Sequence, residues 1–161
     1  MKTKFTFLAI IIAFVVVSCS NSNNVSYNQT VVDLFRKCSN EMGSVNELLS
    51  SNADANAKIL AVDKLEKLAD SCSTVMDGLK PSEVSQAFHS ASSDVYKYIK
   101  SDFVPATKEV LTVDTTGGKA ELYNAAVEKM NSTIDGFNNL FISATSAQQD
   151  FVATEGVKLS L

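Results

Sequence analysis

The residues of this 161-residue chain best suited to covalent or metal chemistry are three cysteines, one histidine and four methionines. Their spacing supports little of either. No CxxC pair or histidine-rich tract is present, so zinc binding and haem attachment lack their usual donors. The Glu-x-x-His pairs that di-metal helical bundles require are also missing. His89 with Met42, Met76 or Met130 would supply a bis-axial haem site, but the methionines fall on apolar stripes where core packing is their ordinary use. His89 lies between Phe88 and Ser90 and reads as a residue on the polar edge of a helix. No G-x-S-x-G elbow exists, and Gly117-Gly118 lacks the flanking strand and the Lys-Ser/Thr of a phosphate cradle. Asp63, Glu66, Asp70 and Asp77 alternate with Lys64, Lys67 and Lys80 as on a solvated face. The expectation is a chain with no catalytic residues, no metal site and no cofactor.

Cys19 stands apart from the other two cysteines. Lys2 and Lys4, the apolar run Phe5 to Val17 and the small Ser18 form the three zones of a secretory signal. The polar stretch from Ser20 to Asn24 cuts that run short of the ~20 apolar residues that a lasting span needs. Val16-Val17-Ser18-Cys19 resembles the lipobox of bacterial lipoproteins. That resemblance implies a diacylglyceryl group on Cys19, cleavage before it and acylation of the new amino terminus. The chain then divides into a signal peptide (1–18), a flexible tether (19–25) and one helical domain (26–161).

Charge narrows the partners. Removing Lys2 and Lys4 takes the 14 basic residues to 12 against 18 acidic ones, a net charge of −6. Such a surface does not suit a phosphate backbone, which argues against nucleic acid. It also disfavours electrostatic docking on anionic lipid, leaving the acyl chains as the membrane attachment.

Hydrophobic periodicity predicts four helices. Ser26-Tyr27-Asn28-Gln29 has the form of a capping box, and Val31, Leu34, Phe35, Cys38, Met42, Val45 and Leu49 follow in steps that keep one face apolar. Ser50 to Asp54 end this first helix. Val62, Leu65, Ala69, Cys72, Met76 and Leu79 make a second stripe, stopped by Gly78 and Pro81. A third helix starts near Pro81-Ser82-Glu83 and carries Val84, Phe88, Ala91, Val95, Ile99, Phe103, Ala106 and Val110. Pro105 inside it predicts a kink near Ser101 and no chain reversal, because the stripe continues. Asp114 to Gly118 form a loop. The last helix repeats through Tyr123, Val127, Met130, Ile134, Phe137, Phe141, Ala144, Gln148 and Phe151. Short connections make neighbours antiparallel, so the expected fold is all-α, an up-down-up-down four-helix bundle after a cleaved signal peptide.

Cys38 and Cys72 fall on the apolar stripes of the first two helices, and their numbers average to 55, next to the turn between them. In an antiparallel hairpin they lie side by side, which predicts a disulfide in an oxidising compartment. A small loop shift would instead leave two buried thiols acting as small core hydrophobes.

Two further resemblances bear on the class. The lipobox, Tyr27-Asn28 with Val31 and Val32, and Ala147-Gln148-Gln149-Asp150-Phe151 with Val157-Lys158-Leu159 resemble a family of helical surface lipoproteins of Bacteroidota and spirochaetes that has no established biochemical activity. The resemblance implies a helical architecture and an envelope location, and carries over no functional residue. Asp114-Thr115-Thr116 is similar to the pattern at which exported Bacteroidota proteins are O-glycosylated, which makes Thr115 the candidate; a plain turn suits the same residues. Surface export in that group uses acidic residues just after the lipidated cysteine. Ser20 to Asn24 contain none, so the periplasmic face of the outer membrane is expected. The functional expectation is a non-enzymatic structural or protein-interaction module with an envelope protein as partner. The alternative is a binder of a small glycan or cofactor, using Tyr96, Tyr98 and Tyr123 as aromatic surface.

Overall fold

The computed structural model describes residues 17–18, 22–113, 120–155 and 158–159. The protein is an all-α four-helix bundle. Its elements are α1 (Ser22–Ser50), α2 (Ala55–Gly78), α3 (Gln86–Tyr98), a π-turn (Ile99–Phe103), α4 (Val104–Thr112) and α5 (Ala120–Thr154), with α3, the π-turn and α4 forming one continuous arm. A two-residue strand β1 (Val17–Ser18) pairs antiparallel with β2 (Lys158–Leu159), Val17 opposite Leu159. Cys19 and Asp114 to Thr116 lie outside the described residues.

The apolar stripes explain the packing. Val31, Leu34, Phe35, Cys38, Met42 and Val45 of α1, and Val62, Leu65, Ala69, Cys72 and Met76 of α2, are all buried. So are all the expected positions of α5 from Val127 to Phe151, including polar Gln148. Burying this many large side chains stabilises the bundle at roughly 1.5–3 kcal/mol each before conformational entropy is subtracted. Contacts between helices link residues whose numbers rise on one as they fall on the next. Glu41 meets Lys64 at 2.7 Å where Leu49 O accepts from Lys58 Nζ at 3.0 Å. Asp70 pairs with Lys100, and Asp63 and Glu66 both pair with Lys108. Phe88 stacks on Phe151 at 6.0 Å while Glu109 meets Lys129 at 2.6 Å. Phe35 packs edge-on to Phe141 at 5.4 Å, and Asn28 accepts from Gln148 at 2.9 Å.

Two local expectations are corrected, and a third is met in place and given its form. First, α1 begins at Ser22, so residues 22–25 of the expected tether are helical, with Val25 packed against the core. The capping box does not form: Ser26 O accepts from Thr30 Oγ1, and Gln29 Nε2 donates to Asp33 Oδ1 at 2.9 Å. Second, α3 begins at Gln86. Ser82 N donates to Ser85 Oγ at 2.8 Å and Ser85 N to Ser82 O at 3.1 Å, folding the segment after Pro81 into a tight turn that competes with a helix start. Val84 is therefore exposed instead of lying on the stripe. Third, the irregularity ahead of Pro105 is a π-turn containing Ser101, with Val104 N donating to Ile99 O. The wider turn lets the chain pass a proline that can neither donate nor tolerate the carbonyl four residues earlier.

Asp54, expected only to end the first helix, caps the second by accepting from Ala57 N at 2.8 Å. Lys58 Nζ donates to both Leu49 O and Ser51 O and so satisfies carbonyls left open at the end of α1. Gly136 on α5 marks a close approach. A Cβ there would lie 2.7 Å from Tyr98 Cζ and closer still to its hydroxyl, so the ring of the third arm rests on bare backbone.

Candidate functional site

Three places among the described residues bring polar or reactive groups together: a cysteine pair at mid-bundle, a polar groove at one end and a small apolar pocket at the other.

Periodicity brings Cys38 of α1 and Cys72 of α2 together. Both are buried as free thiols, with Cys38 Sγ donating to Cys72 Sγ across 3.5 Å. This hydrogen bond separates the two. It holds the proton on Cys38, whose pKa it raises together with burial, and lowers that of Cys72 against the opposing effect of burial. Tyr96 is fully buried nearby, and its hydroxyl has no hydrogen-bond partner among the described residues. Burial drives its pKa up first, and the charge of Cys38 and Cys72 adds to the effect. Such a phenol keeps its proton throughout the physiological range.

At the amino-terminal end of α1, Tyr27 donates from its hydroxyl to His89 Nδ1 of α3 at 2.8 Å, in the tautomer that leaves Nδ1 as acceptor. Tyr27 sits edge-on to Phe88 and Phe151, at 6.4 and 6.2 Å. Burial pushes its pKa up to about 12, so it holds its proton too. The His89 pKa is lowered by burial first and by Lys97, with Asp77 pulling the other way. The pair is a neutral strut between α1 and the third arm. Beside it opens a groove of about 490 Å³, lined by Ser26, Tyr27, Thr30, Lys80, Ser82 and Ser85. Its hydroxyls and one cation suit a solvated polar contact, and no activated nucleophile faces it, since a proton acceptor already committed to Tyr27 is not positioned for a serine.

The apolar pocket, about 280 Å³, lies at the α1–α2 turn and is lined by Leu49, Lys58, Val110, Leu111, Tyr123 and Met130. Its volume falls just below the range of typical small-molecule sites. The three tyrosines of the ligand-binding alternative do not converge: Tyr96 is in the core, Tyr98 rests on Gly136, and Tyr123 alone reaches this pocket.

Met42, Met76 and Met130 are at most 2 % exposed and pack within the core. Among the described residues no cluster of three or more His, Cys, Asp or Glu is arranged to hold a metal ion. The acidic face of α2 is solvated as expected, and from it Asp63, Glu66 and Asp70 also reach lysines of the third arm. The Tyr27–His89 contact spans 62 residues of sequence. Its only sequence signal was that Tyr27 lies four residues before Val31 and so extends the α1 stripe backwards. No family model matches the chain, and neither does any curated protein or solved structure.

Proposed function

We propose that the chain is a bacterial envelope lipoprotein, acylated at Cys19, whose helical bundle serves as a non-enzymatic structural or protein-interaction module. The observation that carries this reading is Val16-Val17-Ser18-Cys19 at the end of an apolar run that begins after Lys2 and Lys4. No helix among the described residues is long and apolar enough to cross a membrane, which fits attachment through acyl chains. The filled core supports a scaffold: Tyr96, Phe35, Phe88, Leu65 and Met130 are all under 2 % exposed. The periplasmic face of the outer membrane follows from the lack of acidic residues between Ser20 and Asn24. The ligand-binding alternative gains little from the 280 Å³ pocket, whose one cationic donor, Lys58, already serves two backbone carbonyls.

The test is chemical crosslinking in the native envelope followed by affinity isolation of the anchored chain. A stoichiometric envelope protein, crosslinked through exposed residues of the bundle, is the expected result. Recovery of the chain alone, with a small molecule retained through dialysis, would replace the interaction reading with the ligand-binding one.

A further inference from the structure

We propose that Cys38 and Cys72 are a disulfide-forming pair that staples α1 to α2 once the chain has left the cytoplasm. The inference deepens the envelope reading and rests on it for an oxidising compartment.

The argument begins with register. Between the α1–α2 turn and the cysteine layer the two helices are fixed against each other twice, by Lys58 on the carbonyls of Leu49 and Ser51 and, nearer the cysteines, by Glu41–Lys64. The approach of the sulfurs therefore belongs to the hairpin as a whole and does not depend on one loose contact. The sulfurs stand 3.5 Å apart. A disulfide needs ~2.05 Å, a closure of about 1.5 Å that side-chain rotation and a small helix shift can supply. Neither thiol has a competing use: the described residues offer no metal cluster, and the one hydrogen bond assigned to either sulfur joins it to the other. Two small hydrophobes would fill this layer equally well; what the pair adds is a bond that only an oxidising compartment permits.

The chemistry is thiol–disulfide exchange with an oxidised protein disulfide of the export compartment. The Cys72 thiolate attacks one sulfur of that disulfide, forming a mixed disulfide and expelling the other sulfur as a thiolate. Cys38 gives its proton to solvent and attacks the Cys72 sulfur, releasing the second donor sulfur. The two cysteines lose two electrons, the donor is reduced to a dithiol, and the protons shed by the cysteines balance those the donor takes up. With Cys38 3 % and Cys72 1 % exposed, exchange belongs to the stage before α1 and α2 finish packing. The finished bond would then be shielded from reductants. The two residues are 34 apart in sequence. Closing a loop of that size raises the melting temperature by about 10 °C on the chain-entropy model.

The experiment unfolds the reduced full chain in urea, refolds it in oxidised glutathione and maps remaining thiols by alkylation, with Cys19 scored separately. The expected result is a crosslinked peptide joining Cys38 to Cys72, a melting temperature about 10 °C above the reduced form, and loss of both in Cys72→Ala. Alkylation of both cysteines after refolding, or a crosslink from either to Cys19, overturns the proposal. A second arm alkylates the chain taken from its own host envelope without reductant. A bond formed in vitro but free thiols in that sample would overturn the export reading and leave the geometry standing, whereas free thiols in both samples refute the geometry itself.

Discussion

Asn28 on α1 and Gln148 on α5 form a polar bond inside the bundle, and the energetics of that bond are open to a sharp test. Both side chains are about as buried as the neighbouring apolar residues, at 3 % and 4 % exposure, and Gln148 Nε2 donates to Asn28 Oδ1 at 2.9 Å. Replacing Asn28 by Leu keeps the volume but strands a buried carboxamide, which costs about 2 kcal/mol, and Gln148→Met strands the other partner at about the same cost. The double variant strands neither, so its loss should be within about 1 kcal/mol of wild type instead of the ~4 kcal/mol that additivity gives. Against a total stability of about 5–15 kcal/mol these differences are readily measured. Urea unfolding followed by far-ultraviolet circular dichroism, at unchanged slope, gives the four free energies. Each single variant should also melt about 4–8 °C lower. Additive losses, with the double variant destabilised by the full sum, would show that the two amides do not depend on each other and that the bond between α1 and α5 is incidental.

Three other outcomes follow from the packing. Tyr96→Phe removes a buried hydroxyl that has no partner among the described residues and should leave stability unchanged or raise it by up to about 1 kcal/mol; a loss above 1 kcal/mol in urea unfolding would reveal a bonded hydroxyl. Gly136→Ala should destabilise the chain by about 1–3 kcal/mol despite the better helix propensity of alanine, because Tyr98 occupies the space of the new methyl, and Tyr98→Ala should recover most of that loss in a double variant. His89, the sole histidine, has a folded pKa below its usual value because it is partly buried, so the unfolded chain binds its proton more readily. Stability should accordingly fall as pH drops through about 6.5, the ordinary histidine value, and level off below the folded pKa. His89→Gln should flatten that slope in melts between pH 7.5 and about 5.5, a range in which carboxylates at their ordinary pKa values contribute little; an identical slope in the variant would contradict the assignment.

How much of the bundle was legible in the sequence depended on whether the signal was periodic. The stripes of α1, α2 and α5 named the buried residues almost one for one because a 3.6-residue repeat maps directly onto a helix face. Cys38 and Cys72 could be placed side by side from the hairpin alone. Helix starts were less legible. Ser22, Asn23 and Asn24 read as coil by composition, yet Val25 and Tyr27 reach the core and extend α1 backwards. The Ser82–Ser85 bonds hold a turn that no hydrophobic pattern announces. Pro105 marked where the third arm would be irregular, but not that the chain would widen into a π-turn. Contacts that join distant segments, Tyr27 with His89 and Asn28 with Gln148, left almost no trace, since each depends on how whole helices are arranged.

The central claim concerns Cys19, and metabolic labelling tests it directly. A bacterial host expressing the full chain is fed an alkyne-tagged fatty acid, and the purified product is read by in-gel fluorescence and intact mass, in parallel with Cys19→Ala. The account predicts label and a mass consistent with an acylated chain beginning at Cys19, and for Cys19→Ala an unlabelled chain that keeps its amino-terminal segment or is misplaced. A labelled Cys19→Ala product, or an unlabelled wild-type chain that still begins at Met1, would contradict it.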